Sequence, residues 1–229
     1  MARKAGYVLV AFGVGLIAWT GVTVWWGDPF TSLYTRHEQH VLSSRLEQLD
    51  RRWATRRSLS AAASAARASL AARQEAMRES AVAFRRSLRE GQPIGRIVAP
   101  RLHLNMVVVE GTSESALEKG PGHYDLASGV NSSLPGMGGV VGIAGHRTTY
   151  LHPFRHIDEL RPGDQISLRM PYGTFRYTVY YHRIVDSKDW SILRSRRFEK
   201  LVLSACHPLY SASHRWVVFA RLQRDAGPT

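Results

Sequence analysis

The most informative stretch of the sequence is residues 201–208, LVLSACHP, which is followed by a second run at 215–218, RWVV. An apolar run ends on Cys206, a turn follows, and another apolar run begins just after Arg215. This pattern predicts two β-strands that carry a thiol and a guanidinium near the same end. Cys206 is the single cysteine of the sequence, so it has no intrachain partner for a disulfide. An unpaired thiol in a domain outside the cytoplasm is a candidate reactive group.

An apolar run near the start of the sequence predicts a membrane helix. Residues 5–26, AGYVLVAFGVGLIAWTGVTVWW, carry no charge over 22 positions, which is long enough to span a bilayer. A cleaved signal peptide has a shorter apolar core and a small-residue cleavage site, whereas this run closes with Trp25 and Trp26. We therefore expect an uncleaved anchor, with a buried core helix as the alternative.

The basic residues around this run give opposing indications of its orientation. Arg3 and Lys4 favour a cytoplasmic N-terminus, while the more basic stretch 36–57 favours the reverse. A reactive Cys206 outside the cytoplasm decides between them. We expect a single-pass protein of the cell membrane, with its N-terminus in the cytoplasm and its C-terminal domain outside.

The chain is strongly basic, with a formal net charge of +13. Such a charge indicates an anionic neighbour, which can be nucleic acid, anionic lipid or an anionic wall polymer. Beside a membrane anchor, lipid headgroups or wall polymers are favoured, and we expect no nucleic-acid partner. The sequence contains no zinc-type Cys/His spacing and no phosphate-binding glycine-rich loop with its lysine, so neither a metal nor a cofactor is expected.

The chain divides into three segments, of which residues 1–30 are the anchor. Residues 31–90 contain neither Gly nor Pro and are rich in good helix formers. Large apolar side chains recur in this segment at a helical spacing, at Leu42, Leu46, Leu49 and Trp53. We expect a long helical stalk or linker that lifts residues 91–229, the catalytic domain, off the membrane. A dimerising coiled coil is the alternative, although the Ala-rich centre of the helix gives it a weak seam.

The third segment has a strand-rich pattern. A loop region with a helical piece at 114–118 follows the second β-like run, and residues 152–160 predict a short helix. The β-like runs lie at 94–99, 104–110, 139–144, 165–170, 174–185, 201–206 and 216–222. Regular turn spacing and few helices predict a mainly β domain, a closed or nearly closed barrel of about eight strands.

Three side chains could support nucleophilic chemistry. A thiol nucleophile needs a partner that exchanges protons and a group that stabilises the developing oxyanion. His146 follows the buried-type run 139–144, so the end of a rigid strand would aim its ring. Arg215 offers fixed charge and planar donors for an oxyanion. From the residues alone, the alternative is a buried Cys206, a strand-end His146 and a surface Arg215 without catalytic roles.

These residues give the chain a resemblance to the sortases, which are cysteine transpeptidases of Gram-positive bacteria. Sortases carry a histidine at a strand end, a cysteine in a T-L-x-T-C pattern, and an arginine eight or nine residues later. His146, Cys206 and Arg215 match this set, and the resemblance covers about residues 28–222. Finer motifs resemble class E, the actinobacterial group: WGDPF at 26–30, GPGHY at 120–124, GHRTTY at 145–150 with PF at 153–154, and CHP at 206–208.

The resemblance implies an eight-stranded sortase-type barrel outside the membrane and a reaction that uses no metal. Cys206 would attack the Thr-Gly carbonyl of a C-terminal sorting-signal peptide, of the L-A-x-T-G form in class E rather than L-P-x-T-G. Arg215 would stabilise the oxyanion, and His146 would protonate the departing Gly amine. An amine of a peptidoglycan precursor would then resolve the thioacyl intermediate. Tyr124 matches a class E tyrosine that lies near the Ala of the signal.

One departure from the family pattern concerns the residues before the cysteine. The two threonines of T-L-x-T-C are Val202 and Ala205 in this chain. We expect the residue before the cysteine to line the substrate side, so the missing hydroxyl at Ala205 predicts an altered signal preference or a reduced rate. Harmless variation in packing is the alternative.

Three other functions remain open on the sequence. A pilin-polymerising sortase would join proteins to each other and often has a lid segment, for which the only candidate is the Arg-rich helix before Gly91. The L,D-transpeptidases also use Cys, His and Arg, but with the His and Arg much closer to the Cys in sequence. The nine-residue gap from Cys206 to Arg215 and the remote His146 argue against this class. A membrane-tethered scaffold with a silent cysteine is the non-enzymatic alternative.

Overall fold

The computed structural model describes residues 2–26, 29–64, 70–125, 132–194 and 198–223, and eight strands in these ranges close into a barrel. The strands are β1 (Pro93–Ala99), β2 (Leu104–Glu110), β3 (Gly122–His123), β4 (Val140–Ala144), β5 (Gln165–Met170), β6 (Gly173–Asp186), β7 (Lys200–His207) and β8 (His214–Leu222). Their order around the barrel is β1-β2-β3-β4-β7-β8-β6-β5. The predicted barrel is confirmed, and its shortest strand, β3, lies inside the region that the sequence predicted as loop.

Side chains along β7 alternate between the interior and the outer face of the barrel, as strand geometry requires. Leu201, Leu203 and Ala205 belong to the interior core, whereas Val202 belongs to a second cluster on the outer face. That outer cluster consists of Tyr124, Val140, Ala144, Val185, Ile192, Leu193, Val202, Val217 and Phe219. β4 is buried along its whole length because one of its faces meets the interior core and the other meets the outer cluster.

The connection from β6 to β7 covers the outer cluster. It contains a 3₁₀ turn, Trp190–Leu193, whose start is capped by the Asp189 side chain, an acceptor from the Ser191 amide. Ile192 and Leu193 of this turn are buried in the outer cluster. The ammonium of Lys200 at the start of β7 donates to the Ile192 carbonyl at 3.0 Å and holds the connection against the strand.

A second connection, from β4 to β5, differs from the sequence prediction. Residues 152–160 form one 3₁₀ turn, Ile157–Glu159, instead of a longer helix. Three consecutive residues at the start of this region, Tyr150, Leu151 and His152, have φ of 51°, 60° and 36°. These left-handed conformations make a tight turn that no α-helix can contain.

The segment before the barrel forms two helices that contact the barrel. They are α2 (Pro29–Ser64) and α3 (Leu70–Arg86), preceded by α1 (Ala2–Trp26) and followed within the barrel by the short α4 (Glu114–Leu117). Leu42 and Leu46 of α2 are buried against Val107 and Val109 of β2. The apolar side chains that recur at helical spacing in the sequence therefore form the face of α2 that packs against the barrel.

Both helices converge on one patch of aromatic side chains. Phe84 of α3 is fully buried, and its ring lies 5.7 Å from the ring of Trp53 of α2. Trp53 in turn lies 6.1 Å from Tyr172, in the turn between β5 and β6. Helices with such contacts do not form a free stalk, although the division of the chain at residues 30 and 90 stays a prediction.

The α1 helix contains the apolar segment predicted to span the membrane. Residues 4–21 have a mean hydropathy of 1.4, and none of that segment is buried inside the protein. Its length and composition are compatible with a single-pass membrane anchor. A signal sequence passes the same test of length and composition.

Replacement of Phe84 by Ala tests whether α3 is part of the folded body. We expect the free energy of unfolding to fall by about 3–5 kcal/mol, because a fully buried ring leaves a cavity. The measurement is urea unfolding of the full chain in detergent. The control is Glu79→Ala on the exposed face of the same helix, which should change stability by less than about 0.5 kcal/mol. Equal effects of the two replacements would show that α3 does not contribute to the barrel's stability.

Candidate active site

Cys206 lies near the end of β7, on the outer face of the barrel. It is half-buried and opposes Arg215 of β8 in the antiparallel ladder. Directly opposed residues of an antiparallel pair project from the same face with their Cβ atoms about 5 Å apart. The thiol and the guanidinium are therefore neighbours by register, as the two apolar runs predicted.

The Arg215 side chain is held by the backbone of the turn that joins β7 to β8. One guanidinium nitrogen, Nη1, donates to the carbonyls of Ala212 at 2.9 Å and His214 at 3.0 Å. Because a guanidinium has five N–H donors, these two bonds fix its position and leave further donors available. Its charge also acts on the Tyr124 phenol, whose pKa burial raises and Arg215 lowers.

His146 follows β4 and lies at the same end of the barrel as Cys206. The β4 strand runs parallel to β7, with Ala144 opposite Ser204, and the Gly145 amide donates to the Ser204 carbonyl at 3.1 Å. His146 lies two residues beyond Ala144, the last residue of β4, and Cys206 lies two residues beyond Ser204 on β7, so both residues lie at the same end of the barrel. Gly145 is required here, since a Cβ at that position would lie 2.7 Å from the ring of Phe154.

The imidazole of His146 is largely withdrawn from solvent. Its Nε2 atom is buried and has no hydrogen-bond partner among the described residues. Burial lowers the pKa of His146, and the carboxylates of Glu118 and Glu114 act in the opposite direction. Burial therefore favours the neutral ring, while the two carboxylates favour the imidazolium.

A buried arginine beside His146 fixes the end of β7. Arg147 is 4% exposed, and its guanidinium donates to the Arg155 carbonyl at 3.0 Å and to the Asp158 carboxylate at 2.9 Å. A second guanidinium nitrogen, Nη1, lies 3.4 Å from Nδ1 of His207 and 3.5 Å from the carbonyl of Cys206. One buried cation thus connects the chain after β4 with the residue that carries the thiol.

An aromatic wall lies next to Cys206 on the outer face. Tyr124 is buried there, and its hydroxyl lies 2.8 Å from the Ser204 hydroxyl, two residues before the cysteine. The ring of Trp190, from the β6–β7 connection, meets Tyr124 edge-on with centroids 6.0 Å apart. Trp190 is half exposed, so the wall borders on solvent.

Ala205 does not lie on this face. Its side chain is 3% exposed and belongs to the interior core, on the opposite side of β7 from Cys206. A substrate contact at Ala205 stays a prediction that this geometry does not support. Ser204, two residues before Cys206, is on the same face of β7 as Cys206, because side chains alternate along a strand.

The sequence did not single out four residues that build this site: Ser204, Arg147, Tyr150 and Trp190. Strand alternation counted back from Cys206 would have found Ser204. Arg147 and Tyr150 flank His146 within the GHRTTY motif, but their contacts depend on the tight turn that follows. Among the described residues, no group of three or more His, Cys, Asp or Glu could hold a metal ion.

Comparison with known proteins places this geometry in a family. A model of the sortase domain matches residues 97–223. Sortase D of Bacillus subtilis (strain 168) is 35% identical over 135 residues, which cover 57% of this chain and 64% of that protein. Sortase SrtE1 of Streptomyces coelicolor is 29% identical over 147 residues, which cover 59% of this chain and 42% of that protein. The chain therefore spans less than two thirds of the length of these curated relatives.

Among solved structures, sortase E1 from Streptomyces coelicolor, with a tripeptide in its active site, superposes with a TM-score of 0.55 and 26% identity. The match covers 58% of this chain and 89% of that one. Because the family model covers more than half of the chain and includes His146, Cys206 and Arg215, the chain belongs to the sortase family.

Replacement of Glu118 by Gln tests the charge balance at His146. The carboxylate favours the imidazolium, so its loss should lower the pKa of His146 further. An NMR titration of the His146 ring in the full chain in detergent measures this change. Glu159→Gln, which removes an exposed carboxylate paired with His156, is the control and should leave His146 unaffected. A pKa of His146 that rises or stays equal to the control would contradict the assignment of Glu118 as a stabilising charge.

Proposed function

We propose that this chain is a membrane-anchored cysteine transpeptidase that cleaves a C-terminal sorting signal between Thr and Gly. It would join the cleaved protein to the amine of a cell-wall precursor. The observation that carries the proposal is the opposition of Cys206 and Arg215 on β7 and β8, with His146 at the end of the parallel strand β4. Family membership supports the reaction type.

The proposed reaction begins when neutral His146 takes the proton of the Cys206 thiol, and the resulting thiolate attacks the Thr carbonyl carbon. The carbonyl oxygen becomes an oxyanion, and free donors of Arg215 bind it. The bond from carbon to the Gly nitrogen then breaks, and the imidazolium of His146 gives the departing amine its proton. These steps leave a thioacyl bond between Cys206 and the substrate.

The second half of the reaction reverses the roles. An incoming amine attacks the thioacyl carbon, neutral His146 takes its proton, and the Cys206 sulfur leaves as a thiolate, which then takes the proton back from His146. The lowered pKa of His146 suits this base role, while Glu118 and Glu114 favour the protonated form that the first half needs. Every bond change is a proton or acyl transfer, so the residues present supply each step.

The proposed location follows from the anchor and the reaction. With α1 across the membrane and the N-terminus in the cytoplasm, the barrel lies outside the cell, where cell-wall precursors and secreted substrates are found. The lipid contact is made through α1. The proposed signal is of the L-A-x-T-G form, because Tyr124 and the motifs around it are similar to those of class E.

A test of the proposal uses the full chain in detergent with fluorogenic L-A-x-T-G and L-P-x-T-G peptides. We expect cleavage and a covalent adduct on Cys206 by intact mass, and both should be absent in Cys206→Ala. Arg215→Lys should lower kcat by about 10²–10³-fold, since oxyanion donors contribute on that scale. The control is Arg221→Lys, six residues further along β8 and about 20 Å away by strand rise. A folded protein without an adduct on either peptide would favour the silent scaffold.

The signal preference is tested at the aromatic wall. Tyr124→Ala should reduce the ratio of kcat/KM for L-A-x-T-G over L-P-x-T-G, because the wall beside Cys206 is removed. Tyr124→Phe keeps the ring and loses only the bond to Ser204, so it should retain the preference. An unchanged ratio in Tyr124→Ala would place signal selection elsewhere.

A further inference from the structure

We propose that Tyr150 and Glu118 are positioning residues for His146, and that the first turns of α2 hold both of them in place. The helix that leads out of the anchor would thereby be part of the support of the catalytic ring. The inference rests on the proposed role of His146. It concerns residues that do not touch the reacting atoms.

Tyr150 forms the surface against which the His146 ring rests. The two ring centroids are 5.2 Å apart with an interplanar angle of 39°. The Tyr150 hydroxyl donates to the Glu118 carboxylate at 2.7 Å, a short bond of the kind that a charged acceptor forms. Because Nε2 of His146 is without a hydrogen-bond partner among the described residues, this ring contact is a large part of what orients the imidazole.

The backbone around Tyr150 needs outside support. Tyr150, Leu151 and His152 all have positive φ, and residues other than Gly adopt this conformation only where surrounding contacts impose it. One such contact comes from α2, where the Thr31 hydroxyl accepts from the Tyr150 amide at 3.3 Å. Inside the turn, the His152 amide donates to the Thr149 carbonyl at 2.7 Å.

Glu118 is fastened to the same helix. The hydroxyl of Thr35 is fully buried and donates to the Glu118 carbonyl at 2.7 Å. The side-chain amide of Gln39 donates to the next carbonyl, that of Lys119, at 2.8 Å. The same amide also pairs with β2, since its oxygen accepts from the Val107 amide at 2.7 Å. Both partners of the Tyr150–Glu118 bond are thus held by α2.

The polar contacts of α2 follow a helical spacing. Thr31, Thr35 and Gln39 are four residues apart, so they project from one face, and Leu42 and Leu46 continue that face along the barrel. The contacts with the His146 loop come from the first turns of α2, and the apolar contacts follow further along. The Thr35 hydroxyl is connected to the His146 ring by three contacts: its bond to the Glu118 carbonyl, the bond from Tyr150 to Glu118, and the contact between the Tyr150 and His146 rings.

The test compares matched variants of the full chain in detergent. Thr35→Val removes the hydroxyl bonded to the Glu118 carbonyl at nearly constant shape, and Thr55→Val makes the same change at an exposed site of the same helix. Tyr150→Phe removes the bond to Glu118 and keeps the ring, with Tyr180→Phe on β6 as its control. Unfolding midpoints identify any variant that is destabilised as a whole.

Two readouts separate positioning from a structural effect. With the peptide that the wild type cleaves, Thr35→Val and Tyr150→Phe should lower kcat about tenfold or more, because a small misplacement of a catalytic group costs rate on that scale. KM should change less than about twofold, since neither side chain meets the substrate. The double variant should lose less than the product of the single effects, because both changes act through Glu118.

The second readout needs no activity. The ring-proton NMR signals of His146, assigned with His146→Gln, sense the ring current of Tyr150 and should shift in Thr35→Val but not in Thr55→Val. His146 signals that stay in place would overturn the proposal, as would shifted signals without a loss of kcat in an active enzyme. A wild type that cleaves no peptide would count against the proposed function, and the NMR comparison alone would then decide the positioning.

Discussion

The site depends on the register of three neighbouring strands. β4 runs parallel to β7, and β7 runs antiparallel to β8, so residues far apart in sequence end at one edge of the barrel. A shift of one residue in either pairing would turn Cys206 or Arg215 to the opposite face. The alternating burial of β7, with Leu203 and Ala205 inside, makes such a shift costly, because it would expose the core residues. The strand register that buries the core residues is therefore the same register that places Cys206 opposite Arg215.

Buried charges fix connections at both ends of the barrel. The guanidinium of Arg147 has four polar partners: the carbonyls of Arg155 and Cys206, the Asp158 carboxylate and Nδ1 of His207. These contacts offset the desolvation of a cation that is 4% exposed. At the other end of the barrel, the Glu199 carboxylate accepts from the Gly136 and Gly138 amides and from the Tyr177 hydroxyl. Burial raises the pKa of Glu199, and these donors act in the opposite direction. Arg147 thus holds the connection after β4, and Glu199 holds the loop before β4, through directional hydrogen bonds that apolar packing does not provide.

Much of this arrangement could be predicted from the sequence. The features that the sequence did not predict were missed for physical reasons. Alternation and turn spacing predicted the barrel and the edge that carries Cys206 and Arg215. The two-residue strand β3 is too short to have a periodicity, and the left-handed turn at 150–152 contains no glycine that would announce it. Helical spacing predicted α2 as a helix, but an apolar stripe suits a coiled-coil partner and a barrel wall equally well. The orientation of Ala205 was expected from a family pattern, whereas the alternation of β7 decides it.

On the proposed topology, the hydrogen bond between Thr31 and Tyr150 limits how far the active site can lie from the membrane surface. Five peptide units separate Thr31 from Trp26, the last residue of α1, so the two lie no more than about 18 Å apart even if fully extended. On the proposed topology, the rim of the active site stands close to the bilayer surface. A peptide tethered to the same bilayer reaches it with a spacer of about six extended residues, whereas a site on a free helix of about 90 Å would need several times more. The length of chain between a substrate's tether and its scissile bond is then a selection criterion in its own right.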